Sequence, residues 1–398
     1  VDGTLERLMQ VDCLIESYSS VKLRKMKPVI RTILRMSVYQ ICFMDRIPDS
    51  AACNEAVKLA VRRGFSGLKG FVNGVLRNVS RHKDEITWPD DSTAFCLPQW
   101  IFSMWERQYG KEAARTMAES FLKERPLTVR MNLSLASREE IADSLESQGV
   151  KVRESGFAED VVFLSQVDYL ESLDAFLDGW IQVQDLSSSL AGDAAGVKEG
   201  DYVIDVCGAP GGKSLHIAEL LHGTGMVEVR DLTEKKIALV EDNIWRSGFS
   251  NIEARVQDAT EFDPDAQEKA DLLIADLPCS GLGIIGRKPD IRYNVTEEQT
   301  RELAKLQREI LSVVWRYVKP GGTMVFSTCT VDPAENEENV RWILSQLPFE
   351  PVDLTDRIGD ALAETLLEDT RKKGYVQLLP GFYPGDGFFI SVFRRKEE

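Results

Sequence analysis

The sequence predicts three consecutive folds: an all-α bundle, a small α+β module, and an α/β domain built on a mostly parallel, doubly wound sheet. Apolar residues recur at three- and four-residue spacing through the first 85 positions, which indicates helices. Helix and strand patterns then mix, and from about Trp180 strands alternate with helices. A chain of 398 residues is long enough for two or three cores. We therefore place the domains at 1–87, 93–178 and 179–398.

The first domain reads as a small helical bundle. Ile30, Ile33, Leu34, Val38 and Ile41 would share one face of a single helix. Proline, glycine and turn residues interrupt this pattern twice before it resumes. The predicted parts are a break at 48–50, a helix at 51–63, a break at 64–70, a helix at 71–79 and a linker at 88–92.

The middle segment mixes helical and strand-like patterns over about eighty residues, which favours a compact α+β module. Its predicted elements are helices at 98–109, 111–124 and 138–148, and strands at 129–133, 150–152 and 161–164.

The last domain alternates short apolar runs with amphipathic segments, which predicts a mostly parallel sheet with helices on both faces. Its predicted strands are 202–206, 226–229, 254–256, 272–275, 323–327 and a closing strand at 388–393. Its predicted helices are 212–221, 234–247 and 297–318.

The charge is distributed unevenly along the chain. The whole sequence carries −16, but residues 21–83 contain fourteen Lys or Arg and three acids, an excess of eleven positive charges. Affinity for nucleic acid depends on local positive potential more than on the total charge. We therefore expect the first domain to contact RNA; the alternative is an ordinary solvated helical surface.

The seven cysteines are scattered and never spaced as CxxC, so we expect neither a metal site nor a disulfide framework. A reducing cytoplasm fits this pattern best. No run of eighteen apolar residues predicts a membrane helix, and no charged-then-apolar start predicts secretion. The sequence starts at Val1, which leaves open whether a segment precedes it.

A glycine-rich loop follows the first strand of the last domain, where open α/β sheets bind cofactors. Asp231 follows the second strand and would bind a ribose; Asp258 follows the third and would accept from an adenine amino group. Either acid alone could be a solvated loop residue. A ribose and an adenine without a pyrophosphate clamp suggest S-adenosylmethionine. The loop consists of Cys207, Gly208, Ala209, Pro210, Gly211, Gly212 and Lys213.

Two cysteines follow neighbouring strands, and both should face one pocket. Asp276 and Cys279 follow the strand at 272–275, and Cys329 follows the strand at 323–327. Carbon 5 of cytosine attacks a sulfonium methyl only after a thiolate has added to carbon 6. A base must then remove the carbon 5 proton, and an acid such as Asp276 near nitrogen 3 would stabilise the developing charge. This chemistry does not decide which cysteine attacks.

Three motifs carry a resemblance to a known family. The sequences DVCGAPGGK, ADLPCSGLG and STCT together resemble the RNA (cytosine-5)-methyltransferases. Within that family the chain is similar to the bacterial 16S ribosomal RNA subfamily of the Sun/Fmu type. The stretches RTILRMSVYQICFMDRIP, NEAVKLAVRRG and GFVNGVLRN resemble the NusB-like RNA-binding domain that precedes the catalytic part in this subfamily.

The resemblance implies a Rossmann-like class I methyltransferase domain behind an all-α NusB-like domain and a small α+β linking module. It implies that residues 207–213, with Asp231, Asp258 and Asp276, contact S-adenosylmethionine. It implies that Cys329 is the nucleophile and that Cys279 helps to release the product. DNA cytosine methyltransferases instead use the cysteine of a Pro-Cys motif as the nucleophile. The implied partner is RNA, most readily 16S ribosomal RNA, with no metal and no membrane. We expect a monomer.

Several alternatives stay open at this point. Amide or amine methyltransferases tend to carry Asn-Pro-Pro-Tyr where this chain has Asp-Leu-Pro-Cys, which disfavours them. Two alternatives remain: the substrate is another RNA such as tRNA, or the chain is a non-catalytic NusB-like RNA-binding protein. The stretch 287–292 either holds phosphate or the target base or is a solvated loop. Arg230 stands where the family usually has an apolar residue, which puts the end of that strand in doubt.

Overall fold

The computed structural model describes residues 1–397. The chain divides into two compact units. The first comprises Val1–Lys123 and a short later segment, Lys288–Asn294. The second comprises Glu124–Arg287 and the chain from Val295 onward.

The described chain begins with α-helices alone and continues with a mixture of strands and helices. The α-helices are α1 (Asp2–Glu6), α2 (Leu8–Tyr18), α3 (Pro28–Phe43), α4 (Asp49–Arg62), α5 (Lys69–His82), α6 (Asp91–Ala94), α7 (Gln99–Tyr109), α8 (Lys111–Ser120), α9 (Arg138–Ser147), α10 (Asp174–Leu177), α11 (Leu186–Ala195), α12 (Gly212–Leu220), α13 (Glu234–Ser247), α14 (Ile291–Asn294), α15 (Glu297–Val314), α16 (Glu337–Gln346) and α17 (Asp360–Ala363). The strands are β1 (Leu127–Met131), β2 (Lys151–Glu154), β3 (Val161–Ser165), β4 (Ile181–Val183), β5 (Tyr202–Asp205), β6 (Met226–Asp231), β7 (Ile252–Val256), β8 (Ala270–Asp276), β9 (Val318–Thr328), β10 (Phe349–Pro351), β11 (Tyr375–Leu378) and β12 (Phe388–Arg395).

The first unit is all-α, as the sequence predicts. The five apolar residues assigned to one helix face all lie on α3 and are all buried. Pro28 starts this helix at a position where its missing N–H costs nothing. Helix α6 begins at Asp91, inside the segment predicted as a linker, because the Asp90 carboxylate caps it by accepting from the Thr93 N–H at 2.7 Å. The predicted linker is therefore shorter than expected.

A small antiparallel sheet occupies the start of the second unit, with strand order β2-β3-β1-β4. Helix α9 packs its apolar Ile141 and Leu145 into the core of this module. Ser137 and Glu140 form a reciprocal capping box that fixes where α9 begins. The expected α+β module is confirmed; its fourth strand, β4, is too short to have been recognised from its pattern.

The large sheet has the order β10-β12-β9-β8-β5-β6-β7, with β11 paired to β12. Strands β5 to β9 pair in parallel, whereas β10, β11 and β12 pair antiparallel. Apolar cores cover both faces, because neighbours such as Val203 and Ile204 point to opposite sides. The predicted mostly parallel sheet and its closing strand are confirmed.

The chain leaves β5 towards β6 on one side and returns to β8 on the other. Open α/β sheets bind ligands outside the carboxyl ends of their strands at such a switch point. The long predicted helix at 297–318 ends at Val314, since a short 3-10 turn and β9 take over its last residues.

Candidate active site

The loop between β5 and α12 brings backbone amides close to the switch point. Gly211 has φ +104°, a conformation that favours glycine, and it starts α12. The Gly208 N–H donates to the Arg230 carbonyl at 2.9 Å, which ties the loop to β6. The loop is thus fixed by its own glycines and by the neighbouring strand.

Asp205 ends β5 as a buried carboxyl. Its Oδ2 accepts from the Ser214 hydroxyl at 2.5 Å, and its Oδ1 from the Cys207 N–H at 3.4 Å. Burial raises the pKa of Asp205 to about 7, although the bond from Ser214 opposes that shift. Asp205 therefore holds the loop and α12 together from beneath, a role that sequence reasoning missed.

Asp231 lies at the end of β6 and is 3% exposed. Its carboxylate accepts from the Ala209 N–H at 3.1 Å, the Leu232 N–H at 2.7 Å and Lys236 Nζ at 2.8 Å. These donors hold the acid against the glycine loop. Strand β6 includes Arg230, so the strand runs through the position that departs from the family pattern.

Asp258 follows β7 and is half-buried. Its Oδ1 accepts from the Thr260 N–H at 2.8 Å and from the Thr260 hydroxyl at 2.7 Å. The second oxygen, Oδ2, has no hydrogen-bond partner among the described residues and is the one left for a ligand.

Asp276 ends β8 between a cation and a hydroxyl. Lys213 Nζ donates to its Oδ2 at 2.7 Å, and the Ser327 hydroxyl to its Oδ1 at 2.8 Å. Burial acts to lower the pKa of Lys213, but the charge of Asp276 and the hydrogen bond to it outweigh burial and raise that pKa. Lys213 is therefore charged at neutral pH and pairs with Asp276.

The two predicted cysteines meet at the ends of β8 and β9. The sulfur atoms of Cys279 and Cys329 are 3.2 Å apart. The hydrogen bond with Cys329, together with burial, raises the pKa of Cys279 well above its usual value. Either sulfur can be the donor in this contact, and the raised pKa means that Cys279 gives up its proton less readily than an exposed cysteine.

Gly283 holds the end of the Cys279 turn against Cys329. Its N–H donates to the Cys329 carbonyl at 3.0 Å. A Cβ at this position would lie 2.0 Å from the Gly387 carbonyl oxygen and 2.8 Å from that of Cys329. Only glycine permits this approach of three backbone segments.

A cavity of about 420 Å³ lies on the first unit, whereas the cavity at the switch point measures about 580 Å³ and is lined by predicted site residues. This second volume lies in the range usual for small-molecule sites, roughly 300–1,000 Å³. Predicted residues that line it are Cys207, Ala209, Asp231, Asp258, Asp276, Cys279 and Cys329.

The other predicted residues of the glycine loop do not line this cavity: Gly208, Pro210, Gly211, Gly212 and Lys213. Sequence reasoning missed part of the wall, namely Leu232, Lys236, Gln257, Leu306 and Ile310. The residues on α15 carry no signal beyond their helical spacing, so only the fold reveals them.

The basic stretch after the Cys279 turn is divided between two roles. Arg287 bonds the carboxylates of Asp185, at 2.7 Å, and Asp386. Arg292 is buried in the first unit, where its Nη1 donates to the Glu6 and Cys96 carbonyls at 3.0 Å. Arg292 is thus neither a phosphate ligand nor part of a solvated loop.

Residues 1–397 contain no group of three or more His, Cys, Asp or Glu side chains arranged to hold a metal ion. No helix in this range is long and apolar enough to cross a membrane.

Family models match three consecutive parts of the chain. The NusB family matches residues 1–81, and the ferredoxin-like domain of RsmF/B-like methyltransferases matches 97–168. A third family model, described as "16S rRNA methyltransferase RsmB/F", matches residues 195–394. Together with the sheet order and the glycine loop, these matches define a methyltransferase that depends on S-adenosylmethionine.

Relatives agree over the full length of the chain. It is 37% identical over 407 residues to the "Probable ribosomal RNA small subunit methyltransferase B" of Bacillus subtilis (strain 168), covering 100% of this chain and 89% of the relative. It is 32% identical to the "Ribosomal RNA small subunit methyltransferase B" of Enterobacter sp. (strain 638), covering 98% and 88%. The solved structure of PH0851 superposes with a TM-score of 0.83 at 25% identity, covering 98% and 88%. The chain belongs to the 16S rRNA methyltransferase RsmB/F family and is an S-adenosylmethionine-dependent rRNA methyltransferase.

Proposed function

We propose that this enzyme methylates carbon 5 of a cytosine in 16S ribosomal RNA through a covalent bond between a cysteine and carbon 6. The observation that supports this most is the pair of thiols, Cys279 and Cys329, 3.2 Å apart in the cavity lined by Asp231, Asp258 and Asp276. Cytosine C5 methylation needs a thiol to attack and a base to accept a proton, and the second thiol can be that base.

Cys329 is the attacking residue in this proposal. Its thiolate adds to carbon 6, and the electron pair of the ring double bond moves towards nitrogen 3, which takes a proton. Asp276 and Lys213 lie together at the end of β8 and can hold that proton. S-adenosylmethionine supplies the methyl group that carbon 5 then receives.

Cys279 completes the reaction as the base. Once the Cys329 sulfur is bonded to carbon 6, its hydrogen bond no longer raises the pKa of Cys279, which releases its own proton to solvent. It removes the carbon 5 proton, the bond between carbon 6 and the Cys329 sulfur breaks, and the ring double bond reforms. The proton on nitrogen 3 returns to the Asp276–Lys213 pair. The division of roles between the cysteines rests on the family resemblance, since the geometry is nearly symmetric in the two sulfurs.

The cofactor residues form the second part of the proposal. The residues present fit S-adenosylmethionine, because a buried carboxylate at Asp231 and an available oxygen of Asp258 face one cavity beside a glycine loop. Asp231 would hold the ribose hydroxyls and Asp258 the adenine amino group. The amides of residues 207–213 would lie against the methionine portion.

The first unit is proposed as the RNA-binding part. Eleven of the fourteen basic residues between positions 21 and 83 are exposed, so their charge is available to phosphate. We also propose a monomer that acts in the cytoplasm, in keeping with seven free thiols. Boundaries near 87–93 and 178–179 remain our proposal, and limited proteolysis with intact-mass analysis tests them.

Bisulfite mapping of ribosomal and transfer RNA from cells with and without the gene tests the substrate. We expect one or a few cytosines of 16S rRNA to lose protection when the gene is absent. Loss confined to tRNA would move the substrate, and an unchanged map would overturn the proposal.

Single cysteine variants test the mechanism. Cys279→Ala should accumulate a covalent RNA adduct that survives denaturing electrophoresis, because the base that permits release is missing. Cys329→Ala should give neither adduct nor product. Cys13→Ala, outside the cavity, serves as the control and should behave as the parent. An adduct that persists in Cys329→Ala would show that the roles are reversed.

A further inference from the structure

Glu335 lies buried between the two cysteine turns, in the loop between β9 and α16. It is 0% exposed. A carboxyl group in such a place is stable only when donors surround it. It lies outside the wall of the cavity and takes no part in the reaction described above.

The carboxyl group holds the residue after Cys279. Its Oε2 accepts from the Ser280 N–H at 2.9 Å, and its Oε1 accepts from the Ser280 hydroxyl. The same hydroxyl is 2.7 Å from that of Thr330, the residue after Cys329. The Ser280 side chain thus links the Glu335 carboxyl group to both cysteine turns.

A second layer of amides fixes Glu335 itself. Gln307 Nε2 donates to its Oε2 at 3.0 Å and to the Pro278 carbonyl at 2.9 Å. Asn339 Nδ2 donates to the Glu335 carbonyl at 3.0 Å and to Gln307 Oε1 at 2.7 Å. Side chains on α15 and α16 therefore fix the position of the carboxyl group, and the carboxyl group in turn holds the cysteine turns.

Resting on the proposed function, we propose that Glu335 is a positioning residue that keeps the two thiols in register and, through its negative charge, opposes the ionisation of Cys279. Burial raises the pKa of Glu335 to about 7, against the hydrogen bonds from Ser280. Its charge therefore appears near neutral pH, where it opposes ionisation of Cys279.

Two other charged groups interact with the thiols: Asp276 from β8 with Cys279, and Lys213 from α12 with Cys329. Further titratable groups surround the cavity and Glu335. They are Cys207, Asp231, Lys236, Asp258 and Glu309 in the cavity wall, Asp205 beside Lys213, Asp332 beside Glu335, and Arg308, which donates to Asn339. None of them is changed when Glu335 is replaced by glutamine, so the effect of its charge can be isolated.

Thiol alkylation in the absence of RNA and cofactor tests the role of the charge. Iodoacetamide labelling of Cys279, followed by peptide mass spectrometry across pH 7–11, compares the parent, Glu335→Gln and Glu338→Gln. We expect the midpoint for Glu335→Gln to fall by roughly 0.5 to 1 pH unit. Glu338 is exposed in the first turn of α16, and its variant should match the parent. An unchanged midpoint in Glu335→Gln would overturn this role.

Kinetics with RNA test the positioning role. Glu335→Ala should lower kcat roughly 100-fold with KM unchanged, whereas Glu335→Gln, which keeps most hydrogen bonds, should stay within about tenfold of the parent. Equal losses in the two variants, or a loss confined to KM, would contradict positioning.

A third variant tests the proposal even if the Glu335→Ala and Glu335→Gln proteins both fail to fold. Thr330→Val removes the hydroxyl at nearly constant volume, and we expect about a tenfold loss of kcat. Full activity in Thr330→Val would overturn the link between the turns. Because alkylation requires neither RNA nor cofactor, a failure of cytosine methylation would refute the proposed function and leave the alkylation result standing.

Discussion

The two sides of the active-site cavity are held in different ways. On the cofactor side the contacts span at most twenty-two residues: Asp231 accepts from Leu232, Lys236 and Ala209, one, five and twenty-two residues away. Asp258 accepts from Thr260, two residues away. On the cysteine side the contacts span fifty residues or more: Cys279 to Cys329, Ser327 to Asp276, and Ser280 to Glu335.

Because of this difference, we expect the two sides to respond differently to substitution. A locally held acid keeps its place when a distant part of the chain moves, so its loss should affect ligand binding alone. A thiol held across fifty residues depends on the packing of several elements, so variants there should affect the rate of chemistry. The predictions below run from the largest expected effect to the smallest.

Asp276→Asn should have the largest effect, because it removes the carboxylate between Lys213 and Ser327 beside the cysteine pair. We expect kcat to fall roughly 100- to 1,000-fold with little change in KM for either substrate. Steady-state kinetics with 16S rRNA measure this. Asp271→Asn, at the opposite end of β8, is the matched control. A change in KM alone would place Asp276 on the binding side of the comparison.

The stability of the protein should depend on pH through Glu335. Its pKa is raised to about 7 in the folded state, so between about pH 4.5 and 7 the unfolded state binds fewer protons and stability falls as pH rises. Glu335→Gln should remove roughly 3 kcal/mol of that fall. Urea unfolding at pH 5 and pH 8 measures the difference, with Glu338→Gln as the control. Parallel slopes in the variant and the parent would show that Glu335 ionises freely.

Asp231→Asn should weaken cofactor binding roughly 10- to 100-fold, because a charged acceptor is lost from a buried position. Isothermal titration with S-adenosylmethionine measures this, and kcat at saturating cofactor should stay near that of the parent. Glu234→Gln, exposed in the first turn of α13, is the control. A fall in kcat at saturation would break the separation between the two sides.

Asp258→Ala should have the smallest effect on this side, roughly a two- to tenfold loss of cofactor affinity, because Thr260 already occupies one of its oxygens. The same titration measures it. Glu253→Gln, on the adjoining strand β7, is the control. A loss as large as that of Asp231→Asn would mean that the adenine contact matters more than the ribose contact.

The two sides of the cavity also differ in how much of them could be predicted from the sequence. The order of folds, the glycine loop and the acids after β6 and β7 were predictable, because each depends on a local pattern. The meeting of Cys279 with Cys329 was predictable only from strand-end placement. Glu335, Ser280 and Thr330 were missed, since a hydrogen bond across fifty residues leaves no periodic signal.

The short segment Lys288–Asn294 has a consequence for recombination between genes. It follows the Cys279 turn in sequence but folds as part of the first unit, where Tyr293 donates to the Leu5 carbonyl at 2.9 Å. A gene fragment beginning at residue 124 would encode Arg292 without its acceptors on Glu6 and Cys96. The N-terminal part can therefore be exchanged between relatives only together with this segment, so the two must be inherited as one.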